Sequence, residues 1–240
     1  MNRFLTIIAS LLLLSGVATA QKKWDFKLGL GGALNCGNVS NMSLTNNGGV
    51  ERNDSTLAFD AHYNILYSRE KEIETNREFG AGLKFDVFQY DRFSPFFAAE
   101  YLTNHFKGYD SKLSLLVGAK YRIYTLPSVC DYSISAAYVC DFVDYYQATT
   151  LDTRVDRLSL RAKIKQKIGP AVSIKHTTFY QPSFKDFSGD YIITSVTTLS
   201  TQISRVVSFD VSFDYEYRSL VPEGTNREDI RTTVGLTMKF

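Results

Sequence analysis

The stretch that decides the fold lies near the C-terminus: Val207-Ser208-Phe209-Asp210-Val211-Ser212-Phe213-Asp214-Tyr215-Glu216-Tyr217-Arg218. Odd positions are apolar or aromatic and even positions polar or charged. A strand points successive side chains to opposite faces, so this period of two builds one apolar face and one polar face; a helix would scatter both sets around its circumference. The last segment repeats the pattern, with Ile230, Val234, Leu236, Met238 and Phe240 alternating against Arg231, Thr233, Gly235, Thr237 and Lys239. Carried back along the chain, the template predicts strands near 24–36, 41–51, 55–68, 76–90, 95–106, 111–124, 130–144, 154–167, 171–181, 190–203, 206–218 and 229–240. The expected fold is all-β, an antiparallel up-and-down barrel of about twelve strands. The segment 41–51, rich in asparagine and glycine, fits the template least well.

Soluble sandwiches and barrels also alternate, with the apolar face turned inward, so alternation alone does not say which face meets lipid. Three features point outward. Many segments run about twelve residues, enough to cross a bilayer at a steep tilt. The polar face mixes glycines (Gly29, Gly31, Gly80, Gly82, Gly118) with charges (Asp60, Lys84, Asp86, Glu100, Lys120, Arg157, Arg161), as a crowded polar lumen requires. Aromatic residues near segment ends, among them Trp24, Tyr67, Tyr90, Tyr124, Tyr145, Tyr180, Tyr217 and Phe240, suit two interfacial girdles. Connections are expected to alternate: short turns near 52–54, 91–94, 126–129, 169–170 and 204–205, longer links near 69–75, 107–110, 145–153, 182–189 and 219–228. Outer-membrane barrels sort their periplasmic turns and outer loops this way.

Residues 1–20 read as a secretory signal, with Arg3, an apolar run from Phe4 to Leu14, and Ala18-Thr19-Ala20 before Gln21. A single barrel domain over 21–240 is expected, located in the outer membrane of a Gram-negative cell. The apolar run is too short to span a bilayer as a helix. Lys plus Arg (27) nearly balance Asp plus Glu (25), which gives no footprint for nucleic acid. Three cysteines cannot all pair internally, and Cys130 and Cys140 fall on one predicted strand about 30 Å apart. His62, His105 and His176 show no metal-ligand spacing with each other or with the cysteines, so neither a metal nor a cofactor is expected.

Several short runs together resemble a domain-of-unknown-function family of outer-membrane proteins that includes a salt-induced member. They are Trp24 with Gly29 and Gly31 leading to Gly37-Asn38; Arg92-Phe93-Ser94-Pro95-Phe96-Phe97 entering Glu100-Tyr101; Leu116-Val117-Gly118-Ala119-Lys120-Tyr121; and Tyr215-Glu216-Tyr217 through Val221-Pro222-Glu223-Gly224 to Asp229 and Phe240. The resemblance covers essentially all of 21–240. It implies an outer-membrane location and brings no catalytic or binding residue with it. Cys36 departs from the small or hydroxyl residue expected before the Gly-Asn pair.

The sharpest charge feature is a basic stripe in 154–167, where Arg157, Arg161, Lys163 and Lys165 alternate with Leu158, Leu160, Ala162 and Ile164. One reading is a cationic lining that favours anionic solutes or ions in a narrow channel or solute-binding barrel. The other pairs the four bases across the lumen with Asp210, Asp214, Glu216, Asp60 and Asp86, which closes the bore and makes the chain a structural barrel of the envelope. A soluble periplasmic binding barrel is the third class. No Gly-x-Ser-x-Gly elbow is present, and neither His62 nor His176 sits at a spacing that fixes contact with a serine, so no enzyme is expected. The expected partners are outer-membrane lipid, the barrel-insertion machinery through Phe240, and small solutes, with the barrel a monomer.

Overall fold

The computed structural model describes residues 24–35, 41–54, 56–70, 73–147 and 149–240. They form twelve strands: β1 (Trp24–Asn35), β2 (Asn41–Arg52), β3 (Leu57–Glu70), β4 (Ile73–Val87), β5 (Phe93–Asn104), β6 (Tyr109–Leu126), β7 (Cys130–Tyr145), β8 (Arg154–Lys167), β9 (Val172–Pro182), β10 (Tyr191–Gln202), β11 (Val207–Arg218) and β12 (Glu228–Lys239). Each pairs antiparallel with its sequence neighbours. β12 closes on β1 from Lys27–Lys239 to Gly32–Val234, leaving a closed barrel with no free edge. Even the asparagine-rich β2 pairs along its whole length with β1 and β3.

The apolar face is on the outside. Leu30, Val117 and Ile230 are 57–62% exposed, and they belong to a mantle that includes Phe26, Leu83, Phe97, Leu160, Phe213 and Val234. A closed barrel satisfies its backbone hydrogen bonds internally, and an apolar mantle of this kind is stable only in hydrocarbon. The barrel therefore crosses a membrane. No helix among the described residues is long and apolar enough to do so. Inside, the buried side chains are mostly small or polar: Ser94, Ser133, Ser159, Glu78, Asp141 and Arg157, with Leu66 and Val139 among the few large apolar ones. Tyr145 corrects the girdle assignment: it lies near Tyr109, which is buried, with ring centroids 6.0 Å apart, so it belongs to the interior.

Both the start of β1 and the finish of β12 lie at one end, here the terminus end; the other is the loop end. The expected sorting of connections holds for the second half of the barrel only. There the loop-end links span 146–153, 183–190 and 219–227, against 127–129, 168–171 and 203–206 at the terminus end. In the first half, β3 runs to Glu70 and β4 starts at Ile73, so the predicted long link at 69–75 is taken up by strand. The link predicted at 107–110 is a 3-10 turn, His105–Lys107, capped by Gly108 in the left-handed region. The Asn104 side chain accepts a hydrogen bond from the Lys107 backbone N–H, which starts the turn. The 1–20 signal and Cys36 lie outside the described residues.

Candidate pore lining

Strand register decides which charges meet in the lumen. On β8, Arg157, Ser159, Arg161, Lys163 and Lys165 pair with Val139, Ala137, Ser135, Ser133 and Asp131 of β7, and all face inward. On the other side, Arg161, Lys163 and Lys165 pair with Phe179, Thr177 and Lys175 of β9. The predicted basic stripe is thus on the lumen wall, but it divides into two parts.

Arg157, near the loop end, is a buried structural cation. Its Nη2 donates to both carboxylate oxygens of Asp190 at 2.8 and 3.1 Å, and its Nη1 donates to the carbonyls of Gln181 and Asp190. Nε faces Asp141 at 3.5 Å. Asp141 also takes Lys112 at 3.0 Å and the Ser114 hydroxyl. None of these partners was among the five acids expected from sequence.

Arg161, Lys163 and Lys165 make no ion pair among the described residues, which overturns the expectation that they pair with Asp210, Asp214, Glu216, Asp60 or Asp86. Those acids are engaged elsewhere: Asp86 by Lys84 and by Lys120 at 3.6 Å, Asp60 by His62 at 2.8 Å, Asp214 by Arg231 at 3.2 Å, and Glu216 by Lys107 and Arg218. Asp210 accepts from Ser208 on its own strand. Arg161 instead sits 5.9 Å over the Phe179 ring, with its Nε buried and without a hydrogen-bond partner. Lys165 stands directly opposite Lys175, an arrangement that costs stability unless an anion screens it. Lys175 was missed at the sequence level because its own strand carries a single cation. Only the β8–β9 register brings it to the stripe.

These cations descend towards the terminus end. There an open pocket of about 930 Å3 is lined by Tyr90, Ile123, Tyr124, Leu126 and Val129 beside Arg92, Arg122, Lys165 and Lys167, with Asp131 as its acid; of Arg161, Lys163, Lys165 and Lys175 only Lys165 lines it. Arg122 lies 3.4 Å from Asp131. Lys163, Lys165, Lys167 and Lys175 leave a surplus of positive charge here, interleaved with the hydroxyls of Ser133, Ser135 and Thr177. Among the described residues the side chains of Arg161, Lys163, Lys165 and Lys175 donate to no hydrogen-bond acceptor, and donors of this kind attract anionic oxygens.

The two histidines raised as bases lie on opposite faces. His62 points inward between Asp60 and Glu100, its Nε2 3.3 Å from the latter. His176 shares the outer face with Ile164, its cross-strand partner. Its ring nitrogens lie 2.9 Å from the hydroxyls of Thr197 and Thr178.

The family model for proteins of unknown function designated DUF481 matches residues 28–240. The chain belongs to this family. No curated protein matches the DUF481 chain. Among solved structures it is similar to the NanC porin, with a TM-score of 0.56 at 10% identity, covering 90% of this chain and 100% of that one. It is also similar to the translocator domain of the autotransporter NalP from Neisseria meningitidis, with a TM-score of 0.53 at 11% identity, covering 100% and 96%. At such identities the likeness concerns the fold. The DUF481 chain has the fold of outer-membrane β-barrels.

Proposed function

We propose that this DUF481 barrel is a narrow outer-membrane channel for small anionic solutes, with its terminus end in the periplasm. The observation that carries the reading is the cation group Arg161, Lys163, Lys165 and Lys175 on adjoining strands, which makes no ion pair within 4 Å among the described residues. Lys165 faces Lys175 on one side and has Asp131 on the other, so one carboxylate stands beside the group, and like charges set opposite each other destabilise a barrel that has no anion to hold. Elsewhere in the lumen this chain places carboxylates beside its cations, as at Lys27–Glu51, Lys112–Asp141 and Arg157–Asp190. The lining favours carboxylate- or phosphate-bearing solutes over cations, as rings of arginine and lysine do in anion-selective pores.

A second reading, a barrel with a filled lumen that serves the envelope structurally, is favoured by the ion-pair network at the loop end. The two separate in planar bilayers. The refolded barrel should give a reversal potential in a KCl gradient that reports chloride preference, and the triple change Arg161→Ser, Lys163→Ser, Lys175→Ser should bring that preference close to unity. A folded wild-type barrel that passes cations as readily as anions sinks the anion reading.

A further inference from the structure

The 3-10 turn at His105–Lys107 lies at the loop end between β5 and β6. In a ring of twelve strands these stand opposite β11 and β12. A round barrel of twelve strands spaced about 4.8 Å apart and tilted about 40° is roughly 24 Å across between backbones. A lysine side chain reaches only about 6 Å. Yet the Lys107 Nζ lies 2.9 Å from Glu216 of β11, 3.2 Å from Asp229 of β12 and 3.7 Å from Glu78 of β4. The turn must therefore fold inward across the mouth, or the mouth must be flattened until its walls nearly meet. Either geometry narrows the passage at this level.

The local backbone is built for that inward path. Register shifts between Leu102 and Asn104 and between Tyr109 and Ser111 bracket the turn. Such irregularities bend a strand and re-aim its end. The buried Asn104 amide donates to Glu78 and Asn76 at 3.0 Å, tying the base of the turn to β4. Gly108 adopts φ +83° beneath the 219–227 loop, and a Cβ there would lie 2.8 Å from Pro222 Cγ. The far wall is joined directly as well: Arg218 of β11 bonds the Tyr109 hydroxyl at the start of β6, with its guanidinium 4.7 Å from that ring. Burial alone would lower the Lys107 pKa, but the charges of Glu216 and Glu78 outweigh it and raise the value, so the ammonium stays charged.

We propose that the His105–Lys107 turn is a gate, and that the contact of Lys107 with Glu78, Glu216 and Asp229 is the latch that holds the outer mouth closed. This inference rests on the channel reading above. The latch is a single cation shared by three carboxylates from three strands. Its loss leaves Asp229 with no cation among the described residues and leaves Glu216 and Glu78 only Arg218 and Arg231, so the tie between the turn and the far wall is broken, the turn swings outward and the passage to the basic lumen opens.

The test compares single-channel recordings of the refolded full barrel with those of Lys107→Gln and Lys107→Arg, in KCl. Folding is checked for each by heat-modifiable migration in electrophoresis. Lys107→Gln should raise mean conductance by at least about threefold, since conductance follows the open cross-section. Lys107→Arg, which keeps the charge, should stay close to wild type. Equal conductance in wild type and Lys107→Gln, both folded and conducting, overturns the gate and leaves the channel reading intact. Silence in both, with no permeation of small acids into liposomes carrying either barrel, overturns the channel reading and the gate with it.

Discussion

Replacing Arg157 by alanine tests whether the loop-end half of the lumen is structural. The substitution removes the only cation in contact with the Asp190 carboxylate among the described residues, together with two donors to backbone carbonyls. Asp141 keeps Lys112 and the Ser114 hydroxyl, so its loss is partial. Asp190 remains mostly buried, with a side chain 15% exposed, and is left as an uncompensated carboxylate. Breaking a buried pair by removing one partner costs about 3–5 kcal/mol. Because Asp141 is rescued, the lower end of that range applies, about 3 kcal/mol. The assay is urea unfolding of the barrel in lipid vesicles, followed by the fluorescence of Trp24, the single tryptophan. A control at Arg154→Ala, whose side chain is 62% exposed and lies 3.6 Å from Asp156, should shift the midpoint immeasurably. A loss below about 1 kcal/mol for Arg157→Ala, with unchanged denaturant slope, would refute the assignment of Arg157 as a buried structural cation.

Two further substitutions probe wall and mantle. Gly118 faces inward on β6, and a Cβ there would lie 2.4 Å from the Ala136 carbonyl oxygen and 2.5 Å from the Ala137 Cβ, neither of which can rotate away. Gly118→Ala should destabilise by about 3 kcal/mol or abolish folding, whereas Gly169→Ala, with nothing within 4 Å, should be tolerated; equal unfolding midpoints would refute the packing argument. On the mantle, His176 puts a polar ring where lipid is expected, so His176→Leu should stabilise by about 1 kcal/mol in a bilayer. A loss of similar size in the same assay would mean that its bonds to Thr178 and Thr197 hold β9 to β10 more strongly than the polar ring costs in lipid.

The barrel itself was legible because the period of two survives in most strands: a one-residue slip would exchange mantle and lumen, so the chain must keep its alternation wherever one face meets lipid. Even β2, whose Asn46, Asn47, Gly48 and Gly49 carry little β propensity, is held by full ladders on both sides, a tertiary effect that local composition does not display. Loop lengths were less legible. Near 69–75 the polar residues Arg69, Glu70, Glu74 and Thr75 look like a link, yet they extend β3 and β4 beyond the apolar mantle, where a strand no longer needs an apolar face. Tyr145 was misassigned for a related reason: a tyrosine at a strand end suits either a lipid interface or an interior stack, and the parity of β7 is what selects the second.

The pairing of charges was the least legible level, and the reason is geometric. Which residue faces the lumen is a property of one strand, readable from its alternation. Which charges meet depends on the stagger between neighbouring strands, on where the loops fold, and on which walls approach each other. Asp190 and Lys107 lie in links between strands, outside any alternating pattern, so nothing local announces that one neutralises Arg157 and the other engages Glu216. Once these links have taken the loop-end charges, the cations of β8 and β9 are left over at the other end. Both ends of the lumen hold acids and bases, but the loop-end bases are paired while Arg161, Lys163, Lys165 and Lys175 make no ion pair among the described residues. The proposed gate and the proposed anion lining would both follow from that difference: at the loop end a lysine-bearing turn is engaged by carboxylates, whereas the β8 and β9 bases are left without an ion pair among the described residues.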